Sequence, residues 1–198
     1  MAEILLFIVQ VLAGLLIADF VSGLVHWLED NYGEPDWPIV GGAVASTMRH
    51  HENPRRMLGV SYLVRNGPTM LVTALCAVPV LAIFGINPVT MTALLVGFFA
   101  NETHAWAHRT PEENGPVITA LQKTGLVISF RHHAAHHRHG KDSRYCAVTC
   151  LLNPALDRIG FWRGLELAIW RVFKVEPRFD PTVRDKHRRS IRAMAARA

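Results

Sequence analysis

Eleven histidines stand in a chain of 198 residues, and nine of them fall into four groups. His26 comes first, with Asp30 one helical turn further on. His50 and His51 follow in the run HHENP, and His104 and His108 are spaced i, i+4, which places them on one helix face together with Asn101. The run RHHAAHH supplies His132, His133, His136 and His137, while His139 and His187 belong to no group and are expected to be solvated or interfacial. Imidazole serves zinc, copper, nickel and iron alike, so ligand type alone does not choose a metal. Number is more informative: a zinc site takes four protein ligands or fewer, and this set offers about twice that, enough for two ions with positions left open for oxygen or substrate. The metalloprotease motif HExxH is absent, because His104-Ala105-Trp106-Ala107-His108 lacks its glutamate base. Two redox irons could activate dioxygen to break an unactivated C–H bond, chemistry for which side chains alone have no adequate oxidant.

Such a cluster needs elements that bring the groups together. Half of the residues are hydrophobic and only 19% are charged, a balance that points to a membrane protein. Three apolar stretches, at about 4–28, 68–86 and 89–108, are long enough to cross a bilayer as helices. The first carries only Gln10 and Asp19 as strongly polar interior groups; with no basic leader and no small-residue cleavage site, it reads as a span and not as a signal peptide. Asn87-Pro88 breaks the second stretch from the third, predicting a tight helical hairpin. Segment 117–130 is mixed in polarity and predicts an interfacial helix. A second such helix, over 154–173, opens at Asn153-Pro154 and interleaves Phe161, Trp162, Trp170 and Phe173 with Arg158, Arg163 and Arg171. That pattern suits the headgroup layer or packing on the protein's own core. The tail 184–198 is basic and alanine-rich. Cys76, Cys146 and Cys150 form no CxxC pair, and no disulfide is expected. The predicted fold is all-α, a single domain over 1–198: an integral membrane helical bundle of three spans, four if 117–130 enters the bilayer, with a cytoplasmic histidine-rich helical cap.

Charge gives the orientation. No Lys or Arg precedes Arg49 or lies between Arg65 and Arg109; the loop between the first two spans holds Arg49, Arg55, Arg56 and Arg65, and the other 17 lie from Arg109 onward. The first loop and the C-terminal region should therefore be cytoplasmic, and the N-terminus on the opposite side. With three spans, the end of the first, the loop, the end of the third and everything after it emerge on one face. All four histidine groups reach that face, a coincidence that unrelated structural histidines have no reason to produce. His26, His104 and His108 at membrane depth would be costly unless paired, and coordination would account for them.

The ordered set of motifs resembles the lipid desaturase family that includes plasmanylethanolamine desaturase and a bacterial carotenogenesis protein, with a plant plastid palmitate desaturase as a further relative. The resemblance rests on His26-Trp27 with Asp30 and Tyr32-Gly33, HHxxP at His50, NxxHxxxH from Asn101 and HHxxHH at His132. It continues through Tyr145-Cys146 and Asn153 to Gly160-Phe161-Trp162-Arg163, and so covers nearly the whole chain. It implies a di-iron centre held by His26, His50, His51, His104, His108, His133, His136 and His137, with Asp30 as a further essential carboxylate. His132 also matches the family pattern, and spacing alone does not separate it from His133; His132 and Asn101 stand as alternative ligands or as hydrogen-bond partners of ligands. The implied reaction uses O2 to remove two hydrogens from an alkyl chain, with electrons from a separate donor such as cytochrome b5 or ferredoxin with its reductase, since no flavin or haem motif is visible. The substrate would be a phospholipid, and for the ether-lipid enzyme the product is a vinyl ether. Arg55, Arg56, Arg109 and Arg131 each border a histidine group and are candidate phosphate contacts, ordinary cytoplasmic-side charge being the alternative. Nucleic acid is not an expected partner. Two competing readings are an acyl-chain desaturase or hydroxylase acting on a glycerolipid, with similar motifs, and a non-enzymatic membrane metal or haem carrier. Two histidines would suffice for haem, and the surplus disfavours a carrier.

Overall fold

The computed structural model describes residues 1–138 and 143–178. Among them the regular structure is helical throughout, with no strand: α1 (Ala2–Asn31), α2 (Gly41–Glu52), a 3-10 turn (Pro54–Gly59), α3 (Tyr62–Phe84), α4 (Pro88–Phe98), α5 (Ala100–Trp106), α6 (Pro111–Thr124), α7 (Phe130–Arg138), α8 (Asn153–Arg158) and α9 (Phe161–Phe173). His139, His187 and the basic tail 184–198 lie outside the described residues.

Among the described residues two helices, α1 and α3, are long and apolar enough to cross a membrane. The 30 residues of α1 rise about 45 Å, more than the hydrocarbon core of a bilayer needs, so one end of the helix has length to spare beyond it. The helix α3 is unlike a buried core helix: Asn66 alone is buried along it, and Leu71, Leu75, Val78 and Ile83 all face outward. It starts six residues before Pro68, where the apolar run suggested, because Ser61 caps it by accepting from the Val64 amide at 3.4 Å. Pro68 and Pro79 are absorbed inside the helix.

The hairpin at Asn87-Pro88 is present. Gly85 ends α3 at φ 73°, and the Asn87 side chain accepts from the amides of Val89 and Thr90 to open α4 behind Pro88. The third apolar stretch, however, is interrupted at Phe99 into α4 and the short α5. Helix α4 packs against both α1 and α3. Its close approach to α1 depends on Gly14, where a Cβ would come within 2.5 Å of the Val89 carbonyl oxygen.

The two helices expected at the interface differ in extent from the sequence expectation. The first lies over Pro111–Thr124 and not over 117–130, because Thr110 and Glu113 form a reciprocal capping box upstream and Gly125 stops the helix in the left-handed conformation. It also bends at Gly115. The second is divided at Gly160 (φ 66°) into α8 and α9. Asn153 is the first residue of α8 and caps nothing with its side chain, which instead brackets the backbone of Cys146. One face of α9 joins a buried core of Trp27, Tyr145, Cys146 and Trp162, lined by Leu165 and Ile169, while Val172 and Phe173 remain exposed.

Candidate metal centre

Four elements deliver the histidines. The last turns of α1 carry His26 and Asp30, and the end of α2 carries His50 and His51. Helix α5 and the turn after it present His104 and His108, and α7 presents His133, His136 and His137, spaced i, i+3, i+4 on one face. Among the described residues these side chains form two adjoining groups, His50, His104, His108, His133 and His137 in one, and His26, Asp30, His51 and His136 in the other. Within each group the ligand atoms lie within 4.8 Å of one another. The groups abut, with the His51 and His137 rings 4.8 Å apart and those of His26 and His133 6.0 Å apart.

The donor atoms fit cations better than they fit one another. In the five-histidine group, Nε2 of His104 lies 2.8 Å from Nε2 of His133 and 3.2 Å from Nε2 of His108, and Nε2 of His137 lies 3.1 Å from Nε2 of His133. A neutral imidazole carries one N–H, so this row of nitrogens cannot satisfy all three contacts with linear hydrogen bonds. Two nitrogens bound at right angles to one ion at about 2.1 Å would be about 3.0 Å apart, close to the spacings found. Both ring nitrogens of His50 are buried without a hydrogen-bond partner, as are Nε2 of His26, Nε2 of His136 and Oδ2 of Asp30. Buried polar atoms left in this way are costly, and an ion in each group would satisfy the Asp30 oxygen and one nitrogen of each of these rings. Five nitrogens in one group exceed the usual four-ligand zinc site.

The second group is built around a carboxylate. Asp30 Oδ1 lies 2.8 Å from His51 Nε2, and Oδ2 lies 3.3 Å from His136 Nε2 and 3.5 Å from His26 Nε2. The outward nitrogens are fixed by backbone: Nδ1 of His26 donates to the Tyr145 carbonyl at 3.0 Å and Nδ1 of His136 to the Ser143 carbonyl at 2.7 Å. A carbonyl can only accept, so Nδ1 holds the proton in both rings and Nε2 faces inward with its lone pair free. Burial, and then the neighbouring histidines, push His50 down to about 2, and the same causes hold His133 and His137 well below the usual imidazole range. These rings are neutral at physiological pH, the form in which imidazole binds a metal.

The other residues singled out in the sequence are held elsewhere. His132 is half-buried and its Nε2 accepts from the Asn153 amide at 3.0 Å, outside both groups. The Asn101 amide donates to the Arg65 carbonyl. Arg55 donates to the His108 carbonyl at 2.8 Å and pairs with Glu113 at 2.7 Å, tying the turn after α5 to α6. Arg109 pairs with Glu102 at 2.9 Å, and Arg56 and Arg131 are exposed. Sequence reasoning missed Glu102, which is buried and held by Arg65 at 2.8 Å, Asn66 at 3.0 Å and Arg109. The signal was present: an acid between Asn101 and His104 at the end of an apolar stretch needs a partner. The carbonyls of Ser143 and Tyr145 left no signal, because backbone groups carry none.

Residues 15–180 match a family model described as a lipid desaturase domain, a range that contains all four histidine groups. The chain is 36% identical over 188 residues to plasmanylethanolamine desaturase 1 of Mus musculus, covering 88% of this chain and 69% of that protein. It is 33% identical over 170 residues to fatty acid desaturase 4-like 1, chloroplastic, of Arabidopsis thaliana, covering 83% and 57%. It is also 29% identical over 179 residues to plasmanylethanolamine desaturase of Myxococcus xanthus, covering 86% and 63%. Of the two Arabidopsis 4-like proteins, the chain spans 57% and 61% of the length. No solved structure matches the chain. With a match that runs from the first long helix to the end of the described residues, and with the histidine groups inside it, the chain belongs to the lipid desaturase domain family.

Proposed function

We propose that the chain is a membrane-embedded, O2-dependent desaturase that holds two iron ions and converts a plasmanyl ether phospholipid to its vinyl ether. The observation that carries this reading is the division of nine clustered donors into a five-nitrogen group and an adjoining group of three nitrogens and one carboxylate. Bound there, an iron pair would supply the oxidising power to take two hydrogens from an alkyl chain, with O2 and two external electrons and protons yielding two waters. His50, His104, His108, His133 and His137 would hold one ion, and His26, Asp30, His51 and His136 the other. The ether-lipid assignment is supported by the similarity to two proteins named plasmanylethanolamine desaturase. Electrons come from a separate donor, such as cytochrome b5 or ferredoxin with its reductase.

The membrane arrangement follows the same reading. Helices α4 and α5 together, residues 88–106, rise about 28 Å, close to the hydrocarbon thickness, and act as one interrupted third crossing. Three crossings bring the ends of α1 and α5, with α2 and α7, to one face, and the distribution of Lys and Arg makes that face cytoplasmic, with the N-terminus opposite. Exposed Arg56 and Arg131 are available to a lipid phosphate there.

The test is lipid analysis of a host that makes plasmanyl lipids but no vinyl ethers. Expression of the chain is expected to produce acid-labile vinyl ether lipid, and the His133→Ala variant none. A new double bond in an acyl chain instead would overturn the ether-lipid assignment in favour of acyl desaturation.

A further inference from the structure

Residues 143–152 form no helix or strand, yet much of this strap is buried: Tyr145, Cys146, Val148 and Thr149 are almost fully enclosed. Irregular backbone against a membrane helix is tolerated only where its amides find partners. Here α1 supplies them along one face. Asp19 Oδ1 accepts from the amides of both Val148 and Thr149 at 2.9 Å, and its Oδ2 accepts from the Thr149 hydroxyl. Ser22 Oγ accepts from the Ala147 amide at 3.1 Å, and one turn later His26 donates to the Tyr145 carbonyl. Asp19, Ser22 and His26 recur at spacings of three and four, the signature of one helix face. Gly23, between them, gives the strap its room: a Cβ there would meet Cys146 Sγ at 2.7 Å and the Cys146 nitrogen at 3.1 Å.

We propose that Asp19 is a positioning residue for the four-member group, anchoring the strap on α1 so that the carbonyls of Tyr145 and Ser143 fix the orientation and tautomer of His26 and His136. Asp19 is fully buried and both of its oxygens are engaged by the strap. It stands two helical turns from His26, about 10 Å along the axis, so it acts through the strap and not as a ligand. The same strap reaches the far side of the centre, where the Ala147 carbonyl accepts from Thr103 and the Val148 carbonyl from the Ile128 amide. The hydrogen bonds that the strap carbonyls of Tyr145 and Ser143 accept come from His26 and His136, both of the four-member group, and this asymmetry makes the role measurable. The inference rests on the reading that each group takes an iron, and one arm of its test is independent of metal.

The first arm uses Cys146, a buried residue of the strap itself, as reporter in a Cys76→Ser, Cys150→Ser background. In metal-free detergent-purified protein, Asp19→Ala is expected to speed thiol labelling of Cys146 by about tenfold or more, because the loss of several buried hydrogen bonds favours local opening. Gly23→Ala, which leaves Asp19 intact, is expected to do the same, while Asp19→Asn, whose side-chain carbonyl still accepts from both amides, is expected to label at close to the parent rate. The second arm is Mössbauer spectroscopy of 57Fe-loaded protein. The parent should give two doublets of equal area from its two different donor sets, and Asp19→Ala and Gly23→Ala should lose or broaden one of them, with Asp19→Asn retaining both. Unchanged Cys146 labelling in Asp19→Ala, or equal loss of both doublets, would overturn the positioning role. Parent protein without iron would overturn the metal reading instead, and the labelling arm would still decide whether Asp19 holds the strap.

Discussion

A histidine such as His50, buried with both ring nitrogens lacking hydrogen-bond partners, is costly in a metal-free protein and is explained by what it can hold. His50→Ala or His133→Ala should therefore reduce iron from about two per chain to one or fewer, as measured by elemental analysis of purified protein, because each removes a donor from a group that has no other element to replace it. Asp30→Asn should weaken the second group by at least about tenfold in metal affinity, since even the loss of a hydrogen-bond partner behind a ligand costs about that much. By contrast, His132→Ala should retain about two irons, since its ring bonds Asn153 and lies outside both groups. Spacing could not separate His132 from His133. Adjacent residues on a helix point about 100° apart, and only the packing of α7 decides which one faces inward.

At the scale of elements, the centre depends on how α5 is bolted down. Its buried Glu102 is gripped by Arg65 and Asn66 of α3 and by Arg109, and Asn101 bonds the Arg65 carbonyl. Arg65→Ala leaves that carboxylate short of its main partner and is expected to cost about 3 kcal/mol, read as a lower unfolding midpoint in detergent. Gly14→Val, which drives a side chain into the Val89 carbonyl and Thr92, is expected to cost about 1–3 kcal/mol by overpacking α1 against α4. The hairpin at Asn87-Pro88 was legible because its chemistry is local: a cap, a proline at the first helical turn and a glycine stop. The break at Phe99 was not, because Gly97 before it lies inside a continuous apolar run and Glu102 sets α5 through contacts distant in sequence. The early start of α3 was obscured by Pro68, a plausible helix opener that the helix simply contains. For α6, polar capping residues at Thr110 and Glu113 outweighed the apolar pattern that follows them.

For the whole molecule, the convergence of four histidine groups was legible from the expected topology, since the three crossings proposed from the apolar stretches would bring them to one side. The strap and its carbonyls were not, because they act through backbone atoms. The proposed orientation predicts that Ile86→Cys, in the exposed α3–α4 turn, is labelled by a membrane-impermeant thiol reagent in intact cells, whereas Glu52→Cys, exposed at the end of α2, is labelled only after permeabilisation. The reverse pattern would invert the orientation. The central claim is that the two groups form a pair of non-haem iron sites, and iron content tests it most directly. Protein expressed with ample iron, purified in detergent and analysed for metals beside the His50→Ala variant should contain about two non-haem irons per chain, with loss in the variant. Stoichiometric zinc, haem iron with its Soret absorption, or no bound metal would contradict it.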